Sequence, residues 1–261
     1  MLLSISTGLY YKSDYKQIME LISNAGFKTI ELFLNQTFVN VHITDIEIET
    51  RKRNLKVASI HTPLECVAFP RKESEEFWIE NSIEMAKILN AKLVNTHMVL
   101  GEYFKETELK LDQIHTQNLI KYCNKGDIVI TTENIPSYSG NVLLGNMDNF
   151  VAFITTNNIP ITFDVTHCAA SGLDIIKTFD RLKGCIQNIH LSNYGNGNEH
   201  KLLEDGDIDI VKFMEYLHKI DYKGLLTLEF DFENPNRNKI IDLNDAENKL
   251  RETYRFISKL I

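Results

Sequence analysis

No run of 18 consecutive apolar residues occurs in the 261 residues, so the sequence offers no candidate transmembrane helix. The opening segment MLLSISTGLYYKSD also lacks the charged n-region and long apolar h-region of a signal peptide. A soluble, cytoplasmic protein is the expectation. Cysteine is sparse: Cys66, Cys123, Cys168 and Cys185 are scattered, with no CxxC pair. That excludes the disulfide framework of a small secreted domain and suits reduced thiols. Positive charge is in deficit, with 28 Lys and Arg against 36 Asp and Glu and a formal net charge of −8. A duplex binder gains most of its affinity by neutralising phosphates, so this balance argues against broad nucleic-acid binding. No linker or low-complexity tract divides the chain, which is therefore read as one domain over 1–261.

What is present is an alternation of strand-like and helix-like segments, repeated eight times. Strands are expected at 2–6, 28–34, 56–61, 92–97, 128–133, 161–164, 185–191 and 225–229, from their β-branched and aromatic content. Between them run helical stripes. Tyr15, Ile18, Met19 and Ile22 form the first, closed by Gly26 just past its end. The second, 43–52, has the weakest pattern. Trp78, Met85 and Leu89 mark the third, and a polar helix follows strand four. Met147, Phe150, Val151 and Ile154 mark helix five, while Leu173, Ile176 and Phe179 mark helix six. Val211, Met214 and Leu217, then Leu250, Tyr254, Ile257 and Ile261, complete the series.

Strict alternation implies parallel pairing through right-handed crossovers. Eight units of about 33 residues match a closed (β/α)8 TIM barrel, an α/β fold. The competing open, doubly wound sheet usually carries a glycine-rich phosphate turn after its first strand. Here that segment is STGLYYKSD, with Gly8 alone. Helix-to-strand links are short, at Asn54, Asn90-Ala91, Gly126-Asp127 and Lys183-Gly184. The long connections, 62–72, 134–146, 192–207 and 230–243, all follow strands. In a barrel they gather on the C-terminal face, where active sites of this fold lie.

The strand ends repeat one chemical theme. Strand three ends on His61, four on His97, five on Glu133, six on Asp164, seven on His190 and eight on Glu229. With 36 Asp and Glu and 8 His in 261 residues, six such ends in succession are hard to obtain by chance. Several carboxylates in one mouth would repel one another, and a divalent cation is the simplest remedy. Oxygen and nitrogen ligands of this kind suit Mn, Co, Mg or Zn. In the stretch PITFDVTHCAASG (160–172), Asp164 is read either as a ligand or as the cap of the following helix, with His167 beside it.

The chain resembles the xylose isomerase-like barrel superfamily, which holds sugar isomerases and epimerases together with the apurinic endonucleases of family 2. The pieces that carry the resemblance are SIHTPLE (59–65), VNTHMVLG (94–101), TTEN (131–134), FDVTH (163–167), NIHLSN (188–193), HKLLEDGDID (200–209) and LTLEF (226–230). The resemblance implies a metal site of Glu133, Asp164, His190 and Glu229, with Glu133 and Glu229 as the catalytic acid/base pair and His167 near the substrate. A metal that chelates a carbonyl oxygen and the adjacent hydroxyl acidifies the proton between them by stabilising the enediolate. A carboxylate on each side of the sugar can then remove and return that proton, giving epimerisation or isomerisation. Glu133 and Glu229 stand three strands apart and so can face one another.

The endonuclease branch resembles the chain at further histidines: His61, His97, His167 and His200. They are read as ligands of a second metal or as substrate contacts. The Asp-x-His expected of that branch is Asn198-Glu199-His200 here, a neutral amide where a carboxylate is needed. Glu31 resembles a strand-two glutamate that can touch substrate; a buried salt bridge is the other reading. Cys66 and Cys168 are candidates for pocket lining or packing, and Tyr138, Arg237 and Lys201 for closing over a ligand. Arg71 and Lys72 could meet a phosphate. His42, His115 and His218 are read as surface residues. The expected partner is a small sugar or polyol, with no membrane, no nucleic acid in the leading reading, and self-association in the manner of related barrels. The other readings are a zinc-dependent phosphodiesterase on abasic DNA, a dehydratase, and a non-catalytic carbohydrate-binding barrel.

Overall fold

A computed structural model describes residues 1–64, 67–68, 71, 73–97, 108–123, 126–135 and 146–261 of the chain. Cys66, Lys72 and Tyr138, with parts of the 62–72 and 134–146 connections, lie outside the described residues. The strands are β1 (Leu2–Ser6), β2 (Thr29–Phe33), β3 (Lys56–His61), β4 (Leu93–Thr96) and β5 (Val129–Glu133). They continue with β6 (Ile161–Asp164), β7 (Ile186–Leu191), β8 (Asn193–Gly195), β9 (Asn198–Lys201) and β10 (Leu225–Leu228). The helices of the first half are α1 (Tyr15–Ala25), α2 (Ile43–Lys52), α3 (Glu75–Leu89) and α4 (Glu108–Tyr122). Those of the second half are α5 (Met147–Asn157), α6 (Val165–Ala170), α7 (Ile175–Leu182), α8 (Ile210–Lys219) and α9 (Leu243–Ile257).

Eight strands close into a parallel barrel in the order β1-β10-β7-β6-β5-β4-β3-β2. This is the (β/α)8 fold expected from the alternation. The seam joins the first strand to the last, Leu2 pairing with Leu225 and Ile5 with Leu228. Capping residues set several of the helix ends. Asp14 caps the start of α1, and Gly26 ends it in the left-handed conformation at φ 110°, which only glycine adopts without cost. Ser74 caps α3 and Asp174 caps α7 through side-chain oxygens that accept backbone N–H groups. The weakly patterned α2 is present over the expected residues.

Pleating sorts the side chains. Outward residues such as Ile30, Ile60, Val94, Ile130, Phe163 and Leu226 join the buried apolar layer beneath the helices. Inward residues are largely polar and bonded to one another. Thr131 Oγ1 lies 3.0 Å from Asn95 Oδ1 and 2.9 Å from Thr162 Oγ1, and Thr227 Oγ1 donates to Asn188 Oδ1 at 3.0 Å. A lumen filled by hydrogen-bonded polar groups is a rigid floor for whatever stands above it.

The structure departs from the sequence expectation in three places. A short helix, α6, follows β6 at once, and the next helix begins at Ile175 rather than near Leu173. The 192–207 connection is not plain loop: β8 and β9 pair there as an antiparallel hairpin. His115 is buried rather than on the surface, with Nε2 2.9 Å from Thr132 Oγ1 and Nδ1 against Glu75. The described buried face of α4 holds His115, Asn118 and Leu119, two of them polar, so no apolar stripe marks the histidine as inward.

A cavity of about 770 Å³ opens at the N-terminal end of the barrel, lined by Leu2, Lys56, Val129, Gln187 and Leu225 among others. It lies at the opposite end from the candidate ligands, and the chemistry follows the side chains rather than this volume.

Candidate metal centre

Glu133 and Asp164 are the last residues of β5 and β6, His190 is the penultimate residue of β7, and Glu229 follows β10 directly. Glu229 still belongs to the wall, because its N–H donates to the Leu191 carbonyl at 3.2 Å. His97 likewise sits one residue past β4. Each of the four offers a donor atom within 4.8 Å of the other three. Glu133, Asp164 and His190 are almost fully enclosed, whereas the Glu229 side chain keeps 13% of its surface exposed.

Three of these donor atoms, Asp164 Oδ2, His190 Nδ1 and Glu229 Oε2, are buried and make no hydrogen bond. His190 Nδ1 stands 2.9 Å from Glu229 Oε2, 3.3 Å from Glu133 Oε2 and 3.9 Å from Asp164 Oδ2. Buried polar atoms are normally satisfied, so three orphans turned toward one another mark a place for a further group. Carboxylate and imidazole donors at such separations fit a divalent cation.

The surroundings hold Glu133 and Asp164 in place. Asn95 Nδ2 donates to Glu133 Oε2 at 2.8 Å, and His167 Nδ1 lies 3.1 Å from Glu133 Oε1. Asp164 Oδ1 accepts the His167 N–H at 2.6 Å as the cap of α6, which leaves Oδ2 for the cluster. Both sequence readings of Asp164 therefore describe one side chain. Asn134 braces the same turn, donating to the Asp164 carbonyl at 2.9 Å and accepting its N–H at 2.8 Å.

The electrostatics follow from burial among opposite charges. Burial raises the Glu133 carboxyl, but the His190 charge and the imidazoles of His167 and His61 beside it override that and hold Glu133 well below the usual range. Burial likewise opposes Glu229, whose carboxyl is drawn down chiefly by His190. Asp164 moves the other way, well up, because burial combines with the charges of Glu133 and Glu229. Burial disfavours a charged His190, yet Glu229, Glu31 and Glu133 push it well above its ordinary value. His167 rises to about 10, burial being outweighed by Asp164 and Glu133.

A second group lies beside the first: His167, Glu199 and His200. Glu199 Oε1 is 3.9 Å from His167 Nε2, and Arg237 Nη2 is 3.8 Å from Glu199 Oε2. Glu199 is the one member that sequence reasoning passed over, because the carboxylate was expected at Asn198. Successive strand residues normally point to opposite faces, but His200 has φ 54° and breaks the alternation, so Glu199 and His200 serve one cluster. The available signal was Asn196-Gly197, a hairpin turn dipeptide, with φ values of 54° and 73° here.

His61 and His97 belong to neither group among the described residues. His61 Nδ1 donates to the Thr62 carbonyl at 2.6 Å, which leaves Nε2 3.6 Å from Glu133 Oε2. The His97 ring lies 6.1 Å from His61 and 6.2 Å from His167. Glu31 is fully buried beneath His190, and Cys168 is core, its thiol pushed up to about 12 by burial. Arg71 is engaged by Glu73 and Asn40. Lys201 Nζ donates to the Arg237 carbonyl at 3.0 Å, and Arg237 pairs with Asp231 at 3.1 Å.

The sequence matches the family described as xylose isomerase-like TIM barrel over residues 19–260. The chain belongs to this family. A curated relative of this xylose isomerase-like barrel, the uncharacterized protein MJ1311 of Methanocaldococcus jannaschii, is 28% identical over 109 residues, 39% of this chain. That match spans 36% of the relative's own length, about a third. Solved structures share the fold throughout. A D-allulose 3-epimerase from Methylomonas sp. in complex with D-allulose superposes with a TM-score of 0.75 at 16% identity, covering 100% of this chain and 97% of that one. An L-ribulose 3-epimerase gives 0.72 at 16% identity, over 100% and 94%. At such identities the likeness carries the fold, and the xylose isomerase-like barrel's chemistry must be argued from its own side chains. No helix among the described residues is long and apolar enough to cross a membrane.

Proposed function

We propose that this chain is a divalent-metal-dependent epimerase or isomerase acting on a sugar or sugar-like polyol, free or phosphorylated. The observation that carries the proposal is the meeting of Glu133, Asp164, His190 and Glu229, from four neighbouring strands, around three unsatisfied buried donor atoms. Sugar epimerases among the solved structures of the same fold agree with it. A bound Mn, Co, Mg or Zn ion would polarise a carbonyl oxygen and its neighbouring hydroxyl, acidifying the hydrogen on the carbon that bears the hydroxyl. Asp164 and His190, without solvent exposure, serve as holders. Glu133 and Glu229 come from β5 and β10, with β6 and β7 between them in the barrel wall, so a substrate can lie between their carboxylates. One removes the proton and the other returns it from the opposite face. Glu229, the only partly exposed member, is the carboxylate most open to a substrate entering from the mouth. His167, His61, His97 and His200 form the surrounding ring that donates hydrogen bonds to substrate hydroxyls.

The test is metal analysis of the purified protein, then proton exchange from D2O into a panel of ketoses. Expected are bound divalent cation and deuterium at one carbon, lost on chelation and restored by metal. Protein that never takes up metal would end the proposal.

The group of His167, Glu199 and His200 favours one other reading, a phosphodiesterase on abasic DNA that needs more than one cation. That reading expects two or three zinc ions per chain and salt-sensitive nicking of an abasic duplex. One bound metal and no nicking at low salt would remove it.

A further inference from the structure

Glu31 sits on β2 and His190 on β7, with β1 and β10 between them in the barrel order, so their contact is made through the lumen. Glu31 is fully buried, a costly place for a carboxylate unless it is held on its oxygens. Ser59 Oγ donates to Oε2 at 2.8 Å, and His190 Nε2 lies 3.1 Å from Oε1 and 3.4 Å from Oε2. The opposite ring nitrogen, Nδ1, is the one turned toward Glu229, Glu133 and Asp164.

We propose that Glu31 is a positioning residue, fixing the hydrogen of His190 on Nε2 so that the lone pair of Nδ1 is presented to the cation site. A neutral imidazole carries a single N–H, and an ionised carboxylate can only accept. Facing Glu31, Nε2 must therefore hold the hydrogen, and Nδ1 is left as the ligand atom. Ser59 keeps the carboxylate from turning away. The next inward position along β2 is Phe33, whose ring packs 4.4 Å from that of His61, and register sets Phe33 and His61 one layer above Glu31 and Ser59. That lid of rings separates Glu31 from a molecule in the mouth, so its role is to orient rather than to touch substrate. The inference rests on the divalent-cation reading of the site.

The experiment uses E31M, which removes the acceptor at similar length, and E31Q, which keeps a carbonyl acceptor without the charge. Zinc affinity is measured by calorimetric titration. The His190 tautomer is read from 15N spectra of zinc-loaded, histidine-labelled protein, its signal assigned by loss in H190N. The wild type is expected to show His190 protonated at Nε2 alone. E31M is expected to bind zinc about 10- to 100-fold more weakly and to show a mixture of tautomers. E31Q is expected to restore the Nε2–H form and to bind within about tenfold of the wild type. A merely structural residue would leave the tautomer unmoved. If the wild type binds zinc and E31M matches it within twofold, Glu31 loses this role while the metal site stands. If the wild type binds no zinc, both readings fall together. Should E31M not fold, the wild-type spectrum decides, and a zinc-loaded His190 with its hydrogen on Nδ1 overturns the proposal.

Discussion

Asp164 illustrates how single atoms decide this site, because its two oxygens have separate tasks. Oδ1 accepts the His167 N–H at 2.6 Å and starts α6, while Oδ2 is turned into the ligand cluster without a hydrogen bond. D164N keeps an oxygen for the cap but replaces a charged donor. It is expected to cost about 100-fold in cation affinity with little change in the urea midpoint of the metal-free protein. D164A loses the cap as well, and a further loss of about 1 kcal/mol should appear in the same unfolding curves. On the proposed mechanism E229Q removes a proton carrier and is expected to lower turnover by about 10²–10⁴-fold, read as deuterium exchange per bound metal. His167 sets a pH signature. Its folded value of about 10 exceeds the ordinary 6.5, so its contribution to stability is complete below about 6.5 and is lost as pH rises through about 10. Metal-free protein should therefore melt at progressively lower temperature from pH 6.5 to 10, and H167N should flatten that slope. An unchanged slope in H167N would contradict the assignment.

Elements differ in how openly the sequence announced them. The barrel strands were readable because β-branched runs sit between amphipathic stripes, and because six strands in succession finish on Asp, Glu or His. Helix α6 was hidden by its length: six residues, VTHCAA, make less than two turns and show no stripe. The β8–β9 hairpin was hidden inside a long polar connection, although Asn196-Gly197 marked its turn. Its closure depends on Gly206, where an added Cβ would meet the Asn193 side chain and come within 2.7 Å of the Tyr194 carbonyl. G206A is expected to lower the melting temperature and to open 193–207 to protease, because Asn193 Nδ2 also holds the Ile208 carbonyl at 3.3 Å. The α3–α4 contact was not legible, because polarity alone places His115 on the surface although it lies on the inner face. There Glu75, His115, Asn118 and Thr132 bond α3 and α4 to the outer side of β5. H115A leaves Glu75 and Thr132 without that partner and is expected to cost about 2 kcal/mol in urea unfolding, with zinc affinity unchanged. Loss of zinc affinity in H115A would mean that the network also supports the site.

At the scale of the molecule, fold and site depend on one cylinder. The four candidate ligands converge because the strands that carry them pair in order, β10 to β7 to β6 to β5. A cation that binds only this arrangement stabilises the folded state, by about 2.7 kcal/mol at a hundredfold excess over its dissociation constant. Thermal melts with and without manganese, reversed by chelator, measure this directly; no shift would count against a resident ion. The number of wall units was legible from the alternation, whereas the depth at which Glu31 supports His190 was not, since no spacing rule links residues 159 positions apart. The seam adds a consequence for biosynthesis. The strand that seals the wall against β1 also brings Glu229, and it is the last of the eight to leave the ribosome. Until then the nascent sheet has bare edges at β1 and β7, open to mispairing with other chains. Sealing those edges and completing the candidate ligand set are a single event, so a half-translated chain gains neither closed edges nor the gathered side chains ahead of the other.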